Sequence, residues 1–256
     1  MIELAHEQYP TIWTLFAHYP YIHGLVQGIL SGTFGHAFAD NPAAPKTGML
    51  IDGDFVFFAG DSTTAAATSM VSRCPNDSLL IGPNDDWEAL IRQVWNDQLK
   101  LRQRVAFQQP KQWDRERLRT LVQTIPPGYR LTQITTADVQ RFAQLSASLV
   151  QIDAPAGQPS FANSVGFGID YDRQYVAGCA GLPAGGMLEF EVQTHPAHKR
   201  HGLASAVAAA LIEYCLEHAL EPCWDAANPM STGLALKLGF IETKHYNAYH
   251  VTHTYP

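Results

Sequence analysis

A short basic segment, Lys199-Arg200-His201-Gly202, lies where an alternating strand pattern gives way to a long apolar helix pattern. The first N–H groups of a helix have no partner within the helix, and the helix dipole adds partial positive charge there. This end of a helix binds phosphate well, and the basic side chains increase the attraction. Gly202 allows a ligand to approach the backbone closely. These residue types and their order predict a site for a pyrophosphate group.

Two carboxylates, Glu189 and Glu191, precede this segment on a predicted strand at residues 188–194. Side chains two residues apart lie on the same face of a strand, so both carboxylates point the same way. Either one could accept a proton as a general base. Alternatively, both are solvated side chains on a half-exposed strand. The residues alone leave these two interpretations open.

His195, His198 and His201 recur at every third position and raise the question of a metal site. Pro196 interrupts the run and no acidic ligand flanks it, which argues against metal-ligand spacing. We therefore predict no metal and interpret the histidines as part of a polar loop beside phosphate. A metal-dependent hydrolase that uses this run and Asp225 ranks last among the possible functions.

Strand and helix patterns alternate around these residues. The predicted helix at residues 202–220 carries an apolar stripe at fourfold spacing, which indicates core packing. Residues 165–180 predict two strands joined by a polar turn, and residues 49–60 predict a hairpin with a type I′ turn at Asp52-Gly53. Acidic residues after Asn84 indicate a helix start. The mixture predicts an α/β fold built on mixed sheets.

Ile125-Pro126-Pro127-Gly128 is the clearest boundary in the sequence. It predicts two domains, residues 1–125 and residues 126–256, each near the usual domain size. No phosphate-binding pattern occurs in the first, so we assign it no cofactor.

Composition limits the possible functions. Of the 256 residues, 46% are hydrophobic and 16% are charged, as in an ordinary globular protein. The net charge of −7 argues against nucleic acid as a partner. The sequence has no signal-peptide pattern, no apolar run long enough to span a membrane, and four cysteines without CxxC spacing. We expect a cytoplasmic protein with reduced thiols and no membrane partner, and we leave its oligomeric state open.

Residues 199–204 resemble the acetyl-CoA loop of the GCN5-related N-acetyltransferase (GNAT) superfamily. The family pattern is Arg/Gln-x-x-Gly-x-Gly/Ala, and Lys199, Gly202 and Ala204 occupy its defined positions, with Lys as a mild departure. Downstream, Asn228 follows a strand as in the family, and Leu238-Gly239-Phe240 closes a short helix before the last strand. The resemblance extends in order from about residue 128 to the C terminus.

The sequence of residues 224–240 also resembles that of a GNAT subgroup typified by a zwittermicin-resistance acetyltransferase. Members of this subgroup have an additional N-terminal half. This resemblance implies a GNAT fold for residues 126–256 and a degenerate GNAT-like domain for residues 1–125. It implies direct transfer of an acetyl group from acetyl-CoA to the amine of a small molecule, by analogy an antibiotic-like one.

The resemblance also implies a set of cofactor-binding residues. The pyrophosphate would contact Lys199, Arg200, His201, Gly202, Leu203 and Ala204; the pantetheine would lie along Val192 and Thr194; Asn228 and Ser231 would complete the cleft. Backbone N–H groups near Val192 and Thr194 would polarise the thioester carbonyl, where the family's fourth strand bulges away from its neighbour. The Thr194 hydroxyl could instead cap the turn that follows.

For the proton transfers, the resemblance implies a strand carboxylate as base, and we favour Glu191 over Glu189. The family's frequent general-acid Tyr would fall at Ala235, so the acid is assigned to Tyr246, with Tyr249 as the other possibility. Three positions apart on a strand, these tyrosines point to opposite faces. Because Ala235 stands where the family's general-acid Tyr would fall, an alternative function is a CoA-binding module without catalysis.

Overall fold

The computed structural model describes residues 1–17, 19, 23–153 and 158–252. Its internal contacts divide the chain into two compact units. The first unit contains Met1–Ala106, Asp225–Asn228 and the chain from Thr243; the second contains Phe107–Trp224 and Pro229–Glu242. This division differs from the predicted boundary near residue 125, because the C-terminal strand pairs within the sheet of the first unit.

A mixed sheet forms the framework of the first unit. Its strands are β1 (Ile2–Glu3), β2 (His36–Ala39), β3 (Thr47–Asp52), β4 (Phe55–Gly60), β5 (Leu79–Ile81), β6 (Leu99–Gln108), β14 (Asp225–Ala226) and β15 (Ile241–Val251). The described strands follow the order β1-β2-β3-β4-β5-β15-β6-β14, with β4 and β5 parallel. The last two residues of β6 and the first two of β15 belong to the second unit.

Helices cover both faces of this sheet. They are α1 (Tyr9–Phe16), α2 (His23–Leu30), α3 (Ala65–Ser72) and α4 (Asp85–Trp95). Apolar residues of α1 and α2 share one buried cluster with Phe57, whereas those of α3 and α4 share another with Phe58. Neighbouring strand residues point to opposite faces, so each pair of helices covers one face. The sheet is buried on both sides.

The predicted hairpin is present, but its turn differs from the prediction. Asp52 pairs with Phe55, so Gly53 and Asp54 are the two central residues. Only Gly53 has a positive φ, 56°, which fits a type II′ rather than a type I′ arrangement. A Cβ on Gly53 would meet nothing within 4 Å, so glycine is required here by φ rather than by space.

The second unit has its own sheet and helices. Its strands are β7 (Arg130–Gln133), β8 (Gln151–Asp153), β9 (Gln158–Ser160), β10 (Val165–Tyr171), β11 (Gln174–Gly181), β12 (Met187–Thr194) and β13 (Glu221–Cys223). Its helices are α5 (Arg115–Gln123), α6 (Val139–Leu145), α7 (Leu203–Glu217) and α8 (Pro229–Leu238). The main sheet has the order β13-β12-β11-β10-β7, and β8 pairs with β9.

The sheet of the second unit also lies between helical layers. A Cβ on Gly178 of β11 would clash with Phe142 of α6, so α6 covers that face closely. Phe167 of β10 meets Tyr214 of α7 on the opposite face, at 6.3 Å between ring centroids. Arg115 of α5 donates three hydrogen bonds to the Glu213 carboxylate, two from Nε and one from Nη2, and this contact joins α5 to α7. The predicted α/β class with mixed sheets is confirmed.

Within the described residues, no helix combines the length and apolar character that crossing a membrane requires.

Candidate functional site

The outer edge of β12 is paired along only part of its length. β12 runs parallel to β13 through three residue pairs, from Met187 with Glu221 to Glu189 with Cys223. On its other side, β12 pairs with β11 in continuous register as far as Thr194. Within the second unit, the described pairing with β13 therefore ends at Glu189, and the rest of that edge has no strand partner.

Backbone donors point outward along this open stretch. The His195 N–H donates to the Val176 carbonyl of β11 at a donor–acceptor distance of 2.8 Å. Successive residues direct their N–H groups to opposite edges of a strand, so those of Val192 and Thr194 point away from β11. Donors in this position could stabilise an oxyanion that forms beside the strand.

Glu189 and Glu191 lie on one strand face, as predicted, but at different points relative to the open edge. Glu189 occupies the last pair with β13, whereas Glu191 lies beyond it and is exposed. Gln193 donates a hydrogen bond of 2.6 Å to Glu191 Oε1. Both carboxylates face the α6 side, since their neighbour Gln193 pairs with Gly178. This arrangement favours Glu191 as the carboxylate that can reach a reacting group.

Thr194 ends the strand with an unusual hydroxyl. Its Oγ1 is buried and has no hydrogen-bond partner among the described residues. The interpretation that it caps the following turn is therefore wrong. The cap is His195, whose Nδ1 accepts from the Ala197 N–H at 3.3 Å. Buried unsatisfied hydroxyls are uncommon and often mark functional sites.

The basic segment forms a strained, exposed turn between β12 and α7. Arg200 has φ 67° and Gly202 has φ 75°, both in the left-handed region. This conformation is unfavourable for arginine, and such strain is concentrated at functional sites. Lys199 and Arg200 are exposed, and within the described chain neither forms an ion pair. Their charges are available to an anion.

Helix α7 begins without a side-chain cap. Its N-cap is Gly202, and its first turn contains no acidic residue. The first backbone bond within the helix runs from the Ala206 N–H to the Gly202 carbonyl at 3.1 Å, so the N–H groups of Leu203 and Ala204 precede the helical ladder. No Asp or Glu occurs in residues 192–212. The predicted phosphate-binding residues are thus brought together at one open, cationic helix end.

Two residues that sequence analysis missed adjoin this loop. The Tyr129 hydroxyl lies 2.9 Å from His198 Nδ1 in a hydrogen bond, and the Tyr171 ring lies 5.2 Å from the His198 ring. His201 Nδ1 lies 3.2 Å from the His198 carbonyl oxygen. Tyr129 and Tyr171 adjoin the ends of two antiparallel strands, β7 and β10. The position of both tyrosines at predicted strand ends was the sequence signal that could have identified them.

The remaining predicted cofactor residues lie in different units. Asn228 is an exposed residue of the first unit. Ser231 lies on α8 of the second unit, where its Oγ accepts from the Trp224 indole N–H at 3.1 Å. Ala235, at the family's tyrosine position, is fully buried in the core. The roles of Asn228 and Ser231 in cofactor binding remain predictions.

Tyr246 lies in a buried polar network of the first unit. Its hydroxyl donates to Asp225 Oδ1 at 2.8 Å, and Asp225 also pairs with Arg104. Burial raises the pKa of Tyr246 well above its ordinary value, and the neighbouring Asp225 carboxylate adds to the rise. Burial likewise raises the pKa of Asp225, against the opposing charge of Arg104. A general-acid role for Tyr246 remains a prediction.

Tyr249 lies in a second network. Tyr246 and Tyr249 belong to different buried clusters of the first unit, which agrees with the prediction of opposite strand faces. Tyr249 donates to Glu88 Oε2 at 2.6 Å, and burial raises its pKa to about 12. Both tyrosines therefore have internal hydrogen-bond partners.

Comparisons with known proteins support the assignment to a family. A family model described as GNAT acetyltransferase matches residues 16–249. The chain is 24% identical over 261 residues to the uncharacterized N-acetyltransferase YdfB of Bacillus subtilis (strain 168), with 97% of each chain covered.

Solved structures agree at the level of the fold. A GCN5-related N-acetyltransferase-like protein from Streptococcus suis 89/1591 is 28% identical with a TM-score of 0.82, covering 95% of this chain and 98% of that one. A tandem GNAT protein from the clavulanic acid biosynthesis pathway is 12% identical with a TM-score of 0.59, covering 99% and 98%. The predicted resemblance to the GNAT superfamily is confirmed, and the chain belongs to the GNAT acetyltransferase family.

Proposed function

We propose that this chain transfers the acetyl group of acetyl-CoA to the amine of a small molecule by direct attack in a ternary complex. The observation that carries the proposal is one continuous segment of the second unit. There, the open edge of β12 leads directly into the uncapped, cationic start of α7. An acyl-CoA needs both parts, donors beside its thioester and a positive site for its pyrophosphate.

At the helix start, Lys199, Arg200 and His201 supply side chains around the pyrophosphate. Gly202 has no side chain, so the phosphate can approach the backbone closely, and the N–H groups of Leu203 and Ala204 donate to phosphate oxygens. Acetyl-CoA is negatively charged, so this basic turn attracts it despite the net charge of −7 on the chain.

Along the strand, Val192 and Thr194 contact the pantetheine arm and direct their N–H groups toward the thioester oxygen. The buried Thr194 hydroxyl has no hydrogen-bond partner among the residues that the structure describes. An unsatisfied buried hydroxyl costs about 1–3 kcal/mol, and a staggered rotation about χ1 would let a bound ligand supply the missing partner. Asn228 and Ser231 are the remaining proposed contacts of the cofactor.

Acetyl transfer requires the acceptor amine in its neutral form, because a protonated ammonium group has no lone pair with which to attack. Free alkyl ammonium groups have a pKa of about 10, so a base must accept a proton at neutral pH. Glu191 is the proposed base and Glu189 the alternative. The amine nitrogen bonds to the thioester carbon, and the oxyanion forms beside the N–H groups of Val192 and Thr194. The C–S bond then breaks, and the thiolate takes up a proton for which Tyr246 is the proposed donor.

The proposed fold of the first half and the proposed acceptor both rest on analogy with related proteins. A tandem GNAT protein shares the fold over nearly the whole chain, which supports a degenerate GNAT-like first half. By the zwittermicin-resistance resemblance, the proposed acceptor is an antibiotic-like amine. All four cysteines are free, three of them buried, which fits a reducing, cytoplasmic location.

The binding part of the proposal is tested by thermal unfolding with and without acetyl-CoA. At a hundred times its dissociation constant, the ligand should stabilise the wild type by about 2.7 kcal/mol. Gly202→Glu places a carboxylate at the helix start and a side chain at a positive φ, so the shift should disappear. If the folded wild type shows no shift, the acetyl-CoA proposal fails.

The catalytic part is tested by CoA release in an amine screen. Glu191→Gln should lower kcat by about 100-fold and leave acetyl-CoA affinity unchanged, because it removes the base and no cofactor contact. Glu189→Gln is the matched control and should retain most activity. The reverse pattern would make Glu189 the base. Binding without turnover on any amine would favour the silent CoA-binding module.

A further inference from the structure

Four rings gather beside the phosphate-binding turn of the second unit. Tyr129, Tyr171, His198 and His201 form this group, called here the aromatic platform. The Tyr129 ring lies 4.6 Å from that of Tyr171, 5.7 Å from that of His198 and 5.9 Å from that of His201. Two of the rings belong to the loop itself, so the platform adjoins the turn at Gly202.

The platform is held in place by hydrogen bonds and backbone packing. The Tyr129 hydroxyl and His198 Nδ1 form one hydrogen bond, and His201 Nδ1 forms another with the His198 carbonyl. Gly128 has φ 91°, and a Cβ there would lie 3.5 Å from the Tyr171 ring. The chain therefore passes closely beside Tyr171. Rings that are fixed before binding lose little conformational freedom when a ligand stacks on them.

Exposure distinguishes this group from a buried aromatic cluster. Tyr171 is 40% exposed, and His201 is also exposed. Rings that only pack a core would be buried, as Phe142 and Phe161 are on the other face of the sheet. An exposed aromatic surface beside the exposed cations Lys199 and Arg200 is suited to a ligand that is both planar and anionic.

Coenzyme A has such a part. Beyond its pyrophosphate, on the side away from the thioester, it carries adenosine with a 3′-phosphate. We infer that the aromatic platform binds the adenine ring of acetyl-CoA by stacking, while the cationic turn holds the phosphates. This inference rests on the proposed acetyl-CoA site and adds the residues that recognise its nucleotide end. Stacking of a base on an aromatic side chain contributes about 1–3 kcal/mol, or roughly 5- to 150-fold in affinity.

The test compares two probes by calorimetric titration. Acetyl-CoA contains the adenine, whereas S-acetyl-4′-phosphopantetheine keeps one phosphate of the pyrophosphate and lacks the adenosine with its two phosphates. Tyr171→Ala should weaken acetyl-CoA binding by at least about 5-fold and leave the affinity for the shorter probe unchanged. Tyr171→Phe keeps the ring and should bind both probes as the wild type does.

Tyr214→Ala is the matched control, because Tyr214 also stacks on a histidine, His218 at 3.8 Å, but near the other end of α7. It should change neither affinity. Equal acetyl-CoA affinity in Tyr171→Ala and wild type would overturn the inference and leave the proposed function intact. Equal losses for both probes would also overturn it, since the damage would then not concern the adenine. Failure of the wild type to bind acetyl-CoA would instead reject the proposed function.

Discussion

Helix α4 of the first unit and helix α7 of the second begin in opposite ways. At α4, the Asn84 side chain accepts from the Trp87 N–H at 3.1 Å, and three acidic residues occupy the first turn. At α7, the N-cap is a glycine, and the first turn has no acidic residue. Both helices present the same unpaired backbone donors. At α4 the Asn84 side chain pairs with one of these donors, whereas the glycine at the start of α7 has no side chain to do so, as the proposed phosphate site requires.

This difference has an energetic consequence. A side-chain N-cap stabilises a helix by about 1 kcal/mol, and each acidic residue in the first turn adds about 0.3–1 kcal/mol. Helix α7 lacks both contributions, although it is buried over most of its length. Its stability comes instead from apolar packing on the sheet. Packing therefore makes side-chain capping of this helix start unnecessary for stability, which is what the proposed phosphate site requires.

The largest expected effect comes from giving α7 an α4-like first turn. Ala204→Glu should lower acetyl-CoA affinity by about 10-fold or more, because a carboxylate would repel the pyrophosphate. The same substitution should raise the free energy of unfolding by a few tenths of a kcal/mol. Titration calorimetry and thermal unfolding measure the two effects, which have opposite signs.

Ala204→Gln separates charge from size in this experiment. It has nearly the same shape without the charge, so it should retain more affinity than Ala204→Glu. Equal losses in both variants would show that the site excludes bulk rather than negative charge.

The converse change at α4 should affect stability alone. Asn84→Ala removes the hydrogen bond to Trp87 and should lower the free energy of unfolding by about 1 kcal/mol. Asn84→Asp keeps an accepting oxygen and should unfold like the wild type. Chemical denaturation gives the stability, and the acetyl-CoA dissociation constant should not change in either variant. A shifted dissociation constant would contradict the separation of roles between the two helix starts.

The smallest effect is expected at a third helix start, which resembles that of α4. Before α6, Asp138 accepts from the Thr135 N–H and hydroxyl and pairs with Arg141 at 3.0 Å. The hydrogen bond from Thr135 and the contact with Arg141 lower the pKa of Asp138 to about 2. A carboxyl whose folded pKa is depressed stabilises the fold above its unfolded pKa, near 3.8, and loses this contribution as pH falls toward 2.

Asp138→Asn should therefore destabilise the protein at neutral pH by less than about 1 kcal/mol, since solvent screens the half-exposed Arg141. The difference from wild type should shrink as the pH falls from about 4 to about 2. Denaturation curves across that range provide the measurement. A difference that stays constant with pH would mean that the charge of Asp138 contributes nothing to the cap.

Local signals explain which parts of the fold and site could be predicted. The start of α4 at Asn84 and the turn at Gly202 depend on neighbouring residues, so the pattern alone predicts them. The hairpin at Gly53 was also predicted, but not its turn type, which depends on the register of the pair Asp52–Phe55. Register is determined by packing of the whole strand rather than by the turn residues alone.

Contacts between distant residues could not be predicted in the same way. The division into units follows β15, which lies between β5 and β6 rather than with the preceding part of the chain. Tyr246 meets Asp225 only because β14 and β15 belong to the same sheet. Neither position carries a local pattern that indicates its partner.

The order of strand, basic turn and apolar helix around Gly202 could be predicted from the chain's residues without any structure, and the proposed phosphate site follows from that order. Capping and helix polarity act over a few residues, so these properties are present in the local sequence. In contrast, the end of the β13 pairing at Glu189 and the contacts of Tyr129 and Tyr171 with the loop become visible only in the folded chain. These contacts join residues tens of positions apart, and packing of complete strands and helices brings them together.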